Sequence, residues 1–150
     1  MQNDYVRLNE ELSMAYELMN HIESNMSSDR KLNLSINEIH LIEKISSQGG
    51  RTIVNLAEDL KITKASVTVA VQKLERKGYV YKEKNENDLR SVYVYLTEQG
   101  KKMERVHKYF HLRMVRNMTE TLTDDETTAL LSGLIKINAY LNSLDEKERK

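Results

Sequence analysis

The 150-residue sequence predicts a mainly α-helical fold of the α+β class, with long helices at both ends around a central group of short helices and one β-hairpin. Three observations carry this expectation. The chain has no proline and only five glycines, so little interrupts a helix. Apolar residues recur at helical spacing through both terminal segments. Between them, YVYKEK and SVYVYL switch to period two, the mark of half-buried strands.

The elements follow in order. Tyr5, Leu8, Leu12, Ala15, Met19, Ile22 and Met26 advance by alternate steps of three and four, a narrow seam suited to packing on one other helix. A second helix opens at Ser35, where Ser35 and Glu38 form a capping box, and carries Ile36, Ile39, Ile42 and Ile45, with Gly49-Gly50 expected to end it. Thr52 caps a short third helix containing Leu56, Ala57 and Leu60. The turn Lys61-Ile62-Thr63 follows at once. Thr63 caps a fourth helix, with Val67, Val71 and Leu74 facing inward and Gly78 as its terminator.

The two strands are joined by the loop NENDLR, and alternation places Val92, Val94 and Leu96 on the core face with Tyr93 and Tyr95 opposite. Thr97 begins a fifth helix that runs past Met118. A second capping box, Thr123 with Glu126, opens a sixth helix, in which Leu130, Leu134, Ile137, Leu141 and Leu144 repeat. The last six residues, DEKERK, are expected to fray into solvent.

Composition excludes several classes of function. The absence of cysteine removes disulfides, thiolate metal sites and a thiol nucleophile. No run approaches the roughly 18 apolar residues of a membrane span, and MQNDYVRLNEEL lacks the regions of a signal peptide, so a cytoplasmic protein without a membrane partner is expected. No HExxH, GxSxG or phosphate-cradling glycine loop is present, and an enzyme is not expected. The formal net charge is zero, but residues 61 to 90 hold eight Lys or Arg against four acids. This segment is therefore +4 within an otherwise acidic chain.

That segment overlaps the motif with chemical meaning. Residues 56 to 80 have the spacing of a helix-turn-helix, whose second helix leaves its outer face free for contact. The face bears Lys64, Ala65, Ser66, Thr68, Val69, Gln72 and Lys73. Gln72 suits adenine, Ser66 and Thr68 suit bases or phosphates, and Ala65 or Val69 suits a thymine methyl. Lys64, Lys73 and Arg76 suit phosphates. An ordinary solvated helix face has a similar composition, so the helix alone leaves both readings open.

The hairpin decides between them. Asp88-x-Arg90, five residues, then Leu96-Thr97-x-x-Gly100, preceded by Leu74-Glu75-Arg-Lys-Gly78-Tyr79, resembles the wing signature of the MarR family of bacterial transcription regulators. The resemblance covers essentially the whole chain. It implies one domain over 1–150, a winged helix-turn-helix in which 35–100 bind DNA and the helices of 1–34 and 101–150 dimerise. Tyr5, Leu8, Leu12, Leu134, Ile137, Leu141 and Leu144 are the candidate dimer contacts. Arg90 is the candidate for insertion at the minor groove, whose narrow A·T tracts attract arginine, with Asp88 to position it. Two copies about a two-fold axis would enter major grooves about 34 Å apart on a pseudo-palindromic operator. The alternative of another class is a dimerisation or adaptor module that does not bind DNA.

Within the family, LSINEIH, LERKGYVYKEKNENDLR and GKKMERVHKYFHLRMV are similar to the FabT-like regulators of fatty-acid synthesis genes in Gram-positive bacteria. This likeness implies a repressor assisted by long-chain acyl-acyl carrier protein. Met14, Met19, Met26, Met103, Met114 and Met118, with His107 and His111, are candidates for lining an adaptable effector pocket, although methionines at helical spacing are more often plain core. No cofactor is required for DNA binding. A rival reading comes from Glu23, His40, His107 and His111, which resemble the zinc site of MarR-type zinc regulators.

Overall fold

The computed structural model describes residues 2–27, 33–46, 49–84 and 92–148. In chain order these form α1 (Gln2–Ser27), α2 (Ile36–Ile45), β1 (Arg51–Thr52), α3 (Ile53–Leu60), α4 (Lys64–Arg76), β2 (Val80–Lys84), β3 (Val92–Leu96), α5 (Glu98–Thr119) and α6 (Asp124–Glu148). They group into two compact units, Met1–His107 and Lys108–Lys150, divided within α5.

The first unit is built on one apolar core. Ile39, Ile42 and Ile45 of α2, Leu56 of α3, Val67, Val71 and Leu74 of α4 and Val94 of β3 are at most 1% exposed. Burying each such side chain stabilises the fold by about 1.5–3 kcal/mol. Local hydrogen bonds decide where the helices start. The Ser35 hydroxyl accepts the Glu38 N–H while Glu38 Oε2 accepts the Ser35 N–H at 2.8 Å, the reciprocal capping box expected at α2. Thr52 accepts from the Asn55 N–H, and Thr63 from the Ser66 N–H, each at 3.1 Å.

The sheet is antiparallel in the order β1-β3-β2. Val80 pairs with Leu96 and Lys84 with Val92, so Val94 and Leu96 enter the core as alternation requires, with Val92 half-buried. On the other face Tyr81 stacks on Tyr95, with ring centroids 5.5 Å apart.

Three expectations are corrected. Gly49-Gly50 do not end α2: the helix stops at Ile45, and Ser46, at φ 59°, closes it with its N–H on the Ile42 carbonyl. Gly50 has a different use, because a Cβ there would lie 2.4 Å from Cζ of Tyr95, and the glycine lets the chain pass beneath that ring into β1. The two-residue strand β1 was not expected at all. It pairs Arg51 with Val94 and Thr52 with Tyr93, and is too short to show a period. At the other end, the chain does not fray from Asp145, since α6 continues to Glu148.

In the second unit, the Thr123 hydroxyl accepts the Glu126 N–H and Glu126 returns a bond to the Thr123 N–H at 2.8 Å, so α6 starts as expected. Leu134, Ile137, Leu141 and Leu144 are all exposed on this helix. On α1, in the first unit, Tyr5, Leu8 and Leu12 are likewise exposed, at 50% or more. No helix among the described residues is long and apolar enough to cross a membrane.

Candidate nucleic-acid interface

The turn between α3 and α4 is made by Lys61 in the left-handed conformation, whose N–H bonds back to α3, followed by Thr63 as the cap of α4. Burial of Val67, Val71 and Leu74 then fixes which side of α4 looks outward. Lys64, Ala65, Ser66, Val69, Gln72, Lys73 and Arg76 are exposed together on it, as the sequence predicts. Thr68 is half-buried, and its hydroxyl donates to the Lys64 carbonyl at 2.8 Å, leaving only acceptor capacity for an outside partner.

The end of α4 is equally well defined. Gly78 has φ 80°, its N–H bonds to the Glu75 carbonyl, and the Tyr79 N–H reaches the Leu74 carbonyl at 3.0 Å. This is a Schellman termination, completed by packing of Tyr79 in the same core as Leu74. The motif Leu96-Thr97-x-x-Gly100 grips it. The Thr97 N–H donates to the Tyr79 carbonyl at 3.0 Å, the Thr97 hydroxyl donates to the Gly78 carbonyl at 2.6 Å, and the Gly100 N–H donates to the Thr97 hydroxyl at 3.2 Å. The helix end and the strand leading into α5 are thereby one unit.

Lys77 and Lys82 of the basic segment are already engaged. Lys82 of β2 pairs with Glu75 at 2.6 Å, and Lys77 lies 2.8 Å from both carboxylate oxygens of Glu38 on α2. Burial pushes the Glu38 carboxyl upward, but bonds from Lys77 and Ser35 outweigh it and hold it below the usual glutamate range. Lys64, Lys73 and Arg76 form no ion pair among the described residues. The segment therefore presents a smaller cationic surface than its composition suggests. The NENDLR loop, with Asp88 and Arg90, lies outside the described residues.

A second cluster sits elsewhere in the first unit. Glu23 Oε1 lies 2.8 Å from Nε2 of His40 and 2.9 Å from Nε2 of His107, joining α1, α2 and α5. Nδ1 of His107, a fully buried residue, is 3.4 Å from Glu43. Carboxylate and imidazole are donor types that zinc takes. The fourth candidate ligand, His111, is one helical turn beyond His107 along α5 and belongs to the second unit.

The candidate effector residues are dispersed in their burial. Met103 is part of the hydrophobic core, Met14 is exposed, and Met19 and Met26 are half-buried on α1. Met114 is half-buried and Met118 exposed in the second unit. An open groove of about 1040 Å³ lies elsewhere, lined in part by Leu41, Leu60, Ile62 and Val69.

A helix-turn-helix with a polar, cationic outer face, closed by an antiparallel hairpin, defines a winged helix-turn-helix DNA-binding protein. Residues 34–92 match the MarR family. FabT of Streptococcus pneumoniae in complex with DNA is similar at 32% identity and a TM-score of 0.87, over 93% of this chain and 99% of that one. The HTH-type transcriptional regulator YfiV of Bacillus subtilis is 30% identical over 114 residues, 75% of this chain and 71% of its own length. The reduced form of MarR from E. coli is 25% identical with a TM-score of 0.66, over 84% and 95% of the two chains. The chain belongs to the MarR family and is a DNA-binding transcriptional regulator.

Proposed function

We propose that the protein is a cytoplasmic homodimeric repressor of fatty-acid synthesis genes, acting on a pseudo-palindromic operator with long-chain acyl-acyl carrier protein as corepressor. The observation that carries this reading is the likeness to FabT of Streptococcus pneumoniae, whose structure is a complex with DNA, over nearly the full length of both chains. The outer face of α4 reads bases through Ser66, Val69 and Gln72, and Lys64, Lys73 and Arg76 neutralise phosphates. Arg90 is assigned to minor-groove insertion, with Asp88 to position it.

Dimerisation is supported by the exposed apolar residues of α1 and α6. Tyr5, Leu8 and Leu12, with Leu134, Ile137, Leu141 and Leu144, would stand in water in an isolated chain, and a two-fold partner would cover them. Methionines suit an acyl tail because unbranched thioethers repack around a flexible chain.

The reading is tested by selecting bound fragments from random duplex DNA, with and without acylated carrier protein. Palindromic sites enriched more strongly with the acylated carrier are expected. Enrichment indifferent to it would remove the corepressor.

A second reading, a zinc-responsive regulator, is favoured by the convergence of His40 and His107 on Glu23. To accept zinc, those donors would exchange their mutual hydrogen bonds for bonds of about 2.0–2.2 Å to the ion. Calorimetry with zinc, against a His40→Ala, His107→Ala variant, distinguishes the two. Heat only from the unmodified protein supports a metal site, and no heat from it ends that reading.

A further inference from the structure

From the geometry of the Glu38–Lys77 pair we infer that these residues position the recognition helix, so that Lys77, although within the basic segment, serves base discrimination and not phosphate attraction. The inference rests on the proposed reading of α4 as the base-contacting helix. Glu38 Oε2 closes the capping box at the head of α2 by accepting the Ser35 N–H at 2.8 Å. Both oxygens of the same carboxylate also hold Nζ of Lys77 at 2.8 Å, and Glu38 is only 8% exposed. Lys77 is the C-cap of α4, its N–H bonded to the Lys73 carbonyl at 3.0 Å. One buried carboxylate thus ties the first turn of α2 to the last turn of α4.

The need for such a tie follows from how α4 is otherwise held. Val67, Val71 and Leu74 anchor its inner side by apolar burial, which is strong but non-directional and tolerates small rolls about the helix axis. Beside them lies the open groove, which Glu38 and Lys77 both line. A charged hydrogen-bonded pair is directional, and at the end of a 13-residue helix it limits both roll and axial slip. Bidentate base contacts require that restraint, since their geometry is fixed. Flexible lysines reaching phosphates do not.

The two possible roles of Lys77 differ in salt dependence. A phosphate contact contributes about 0.9 to the slope of log K against log salt, and does so on any sequence. A positioning residue leaves that slope unchanged and lowers only the ratio of specific to random binding.

The experiment measures operator and random-duplex affinity across a salt series for the full-length protein and for Lys77→Met, Glu38→Gln, their combination and Lys77→Arg. Circular dichroism checks that each is folded. Met keeps the aliphatic stem, Gln can still serve the capping box, and Arg can still pair with the carboxylate. Both single variants and the double variant are expected to lose about tenfold in the specific-to-random ratio, the scale of one base contact, with an unchanged slope. Lys77→Arg should restore most of it. A slope reduced by about one in Lys77→Met, with specific and random binding weakened alike, overturns the inference in favour of a phosphate contact. Wild-type ratios in both single variants overturn it as well. Failure of the unmodified protein to prefer any duplex would instead remove the underlying reading of α4.

Discussion

The Thr97 hydroxyl donates a 2.6 Å hydrogen bond to the Gly78 carbonyl, joining the residue that starts α5 to the residue that ends α4. This relationship explains why two motifs separated by the hairpin occur together. Gly78-Tyr79 supplies carbonyls that the helix termination leaves open, and Thr97 covers both of them. The wing strands lie between these anchors, which tie the strand ends to the end of α4.

Gly100 is the tightest point of this joint. A Cβ at that position would lie 2.2 Å from the Tyr79 carbonyl oxygen, a backbone atom that the Thr97 N–H already holds. Gly100→Ala is therefore expected to destabilise the first unit by about 1–3 kcal/mol, despite the better helix propensity of alanine. Urea denaturation checks this. Wild-type stability would show that α5 can shift away from Tyr79 freely.

Gln72 faces outward midway along α4, between the exposed Val69 and Lys73. Gln72→Ala is expected to relax base preference at one position per half-site, losing about 1–3 kcal/mol of discrimination there. Competition binding with single-base operator variants measures it. A uniform loss on every sequence would place Gln72 on the DNA backbone.

Arg90, assigned from the sequence alone, gives a contrasting expectation. Arg90→Ala should weaken operator binding several-fold and flatten its salt dependence, with the largest effect on A·T-rich flanks. Unchanged affinity and slope would take the hairpin out of the mechanism.

These expectations differ in how far the sequence supports them. Ser35, Thr52, Thr63 and Thr123 were legible as helix starts because each cap closes over three residues, and the required partners stand within that window. The inward faces of α4 and β3 were legible for a similar reason, since period alone assigns them. What was hidden depends on contacts distant in the chain. Ser46 ends α2 although glycines stand nearby, and Gly50 is used under Tyr95 instead. Lys77 looks like any surface lysine until folding brings Glu38, 39 positions away, against it. The Glu23, His40 and His107 cluster was visible only through family likeness, no local spacing linking residues 84 apart.

Acid should act on α6 through its cap. Glu126 is held below the usual glutamate range chiefly by the Thr123 N–H and then by its hydroxyl. A depressed folded-state value means that this contribution is complete above the ordinary value, about pH 4.3, and is lost as pH falls through the lower one. Wild type should therefore be more helical at neutral pH than Glu126→Gln, with the difference vanishing in acid. Circular dichroism across that range reads it, and a gap that persists at low pH would refute the linkage.

Dimerisation and DNA affinity should fail together. Leu141 lies near the end of α6, 53% exposed in the single chain, and a charge at that point cannot be buried without a partner for it. Leu141→Glu is expected to shift the protein toward monomer in sedimentation without unfolding the first unit. Each monomer keeps one α4 and one hairpin, so random-duplex binding should fall modestly. Operator binding should fall much further, because the second half-site is no longer delivered at high effective concentration. A monomer that retains full operator affinity would mean that one copy suffices, and the two-fold geometry of the proposed site would have to be abandoned.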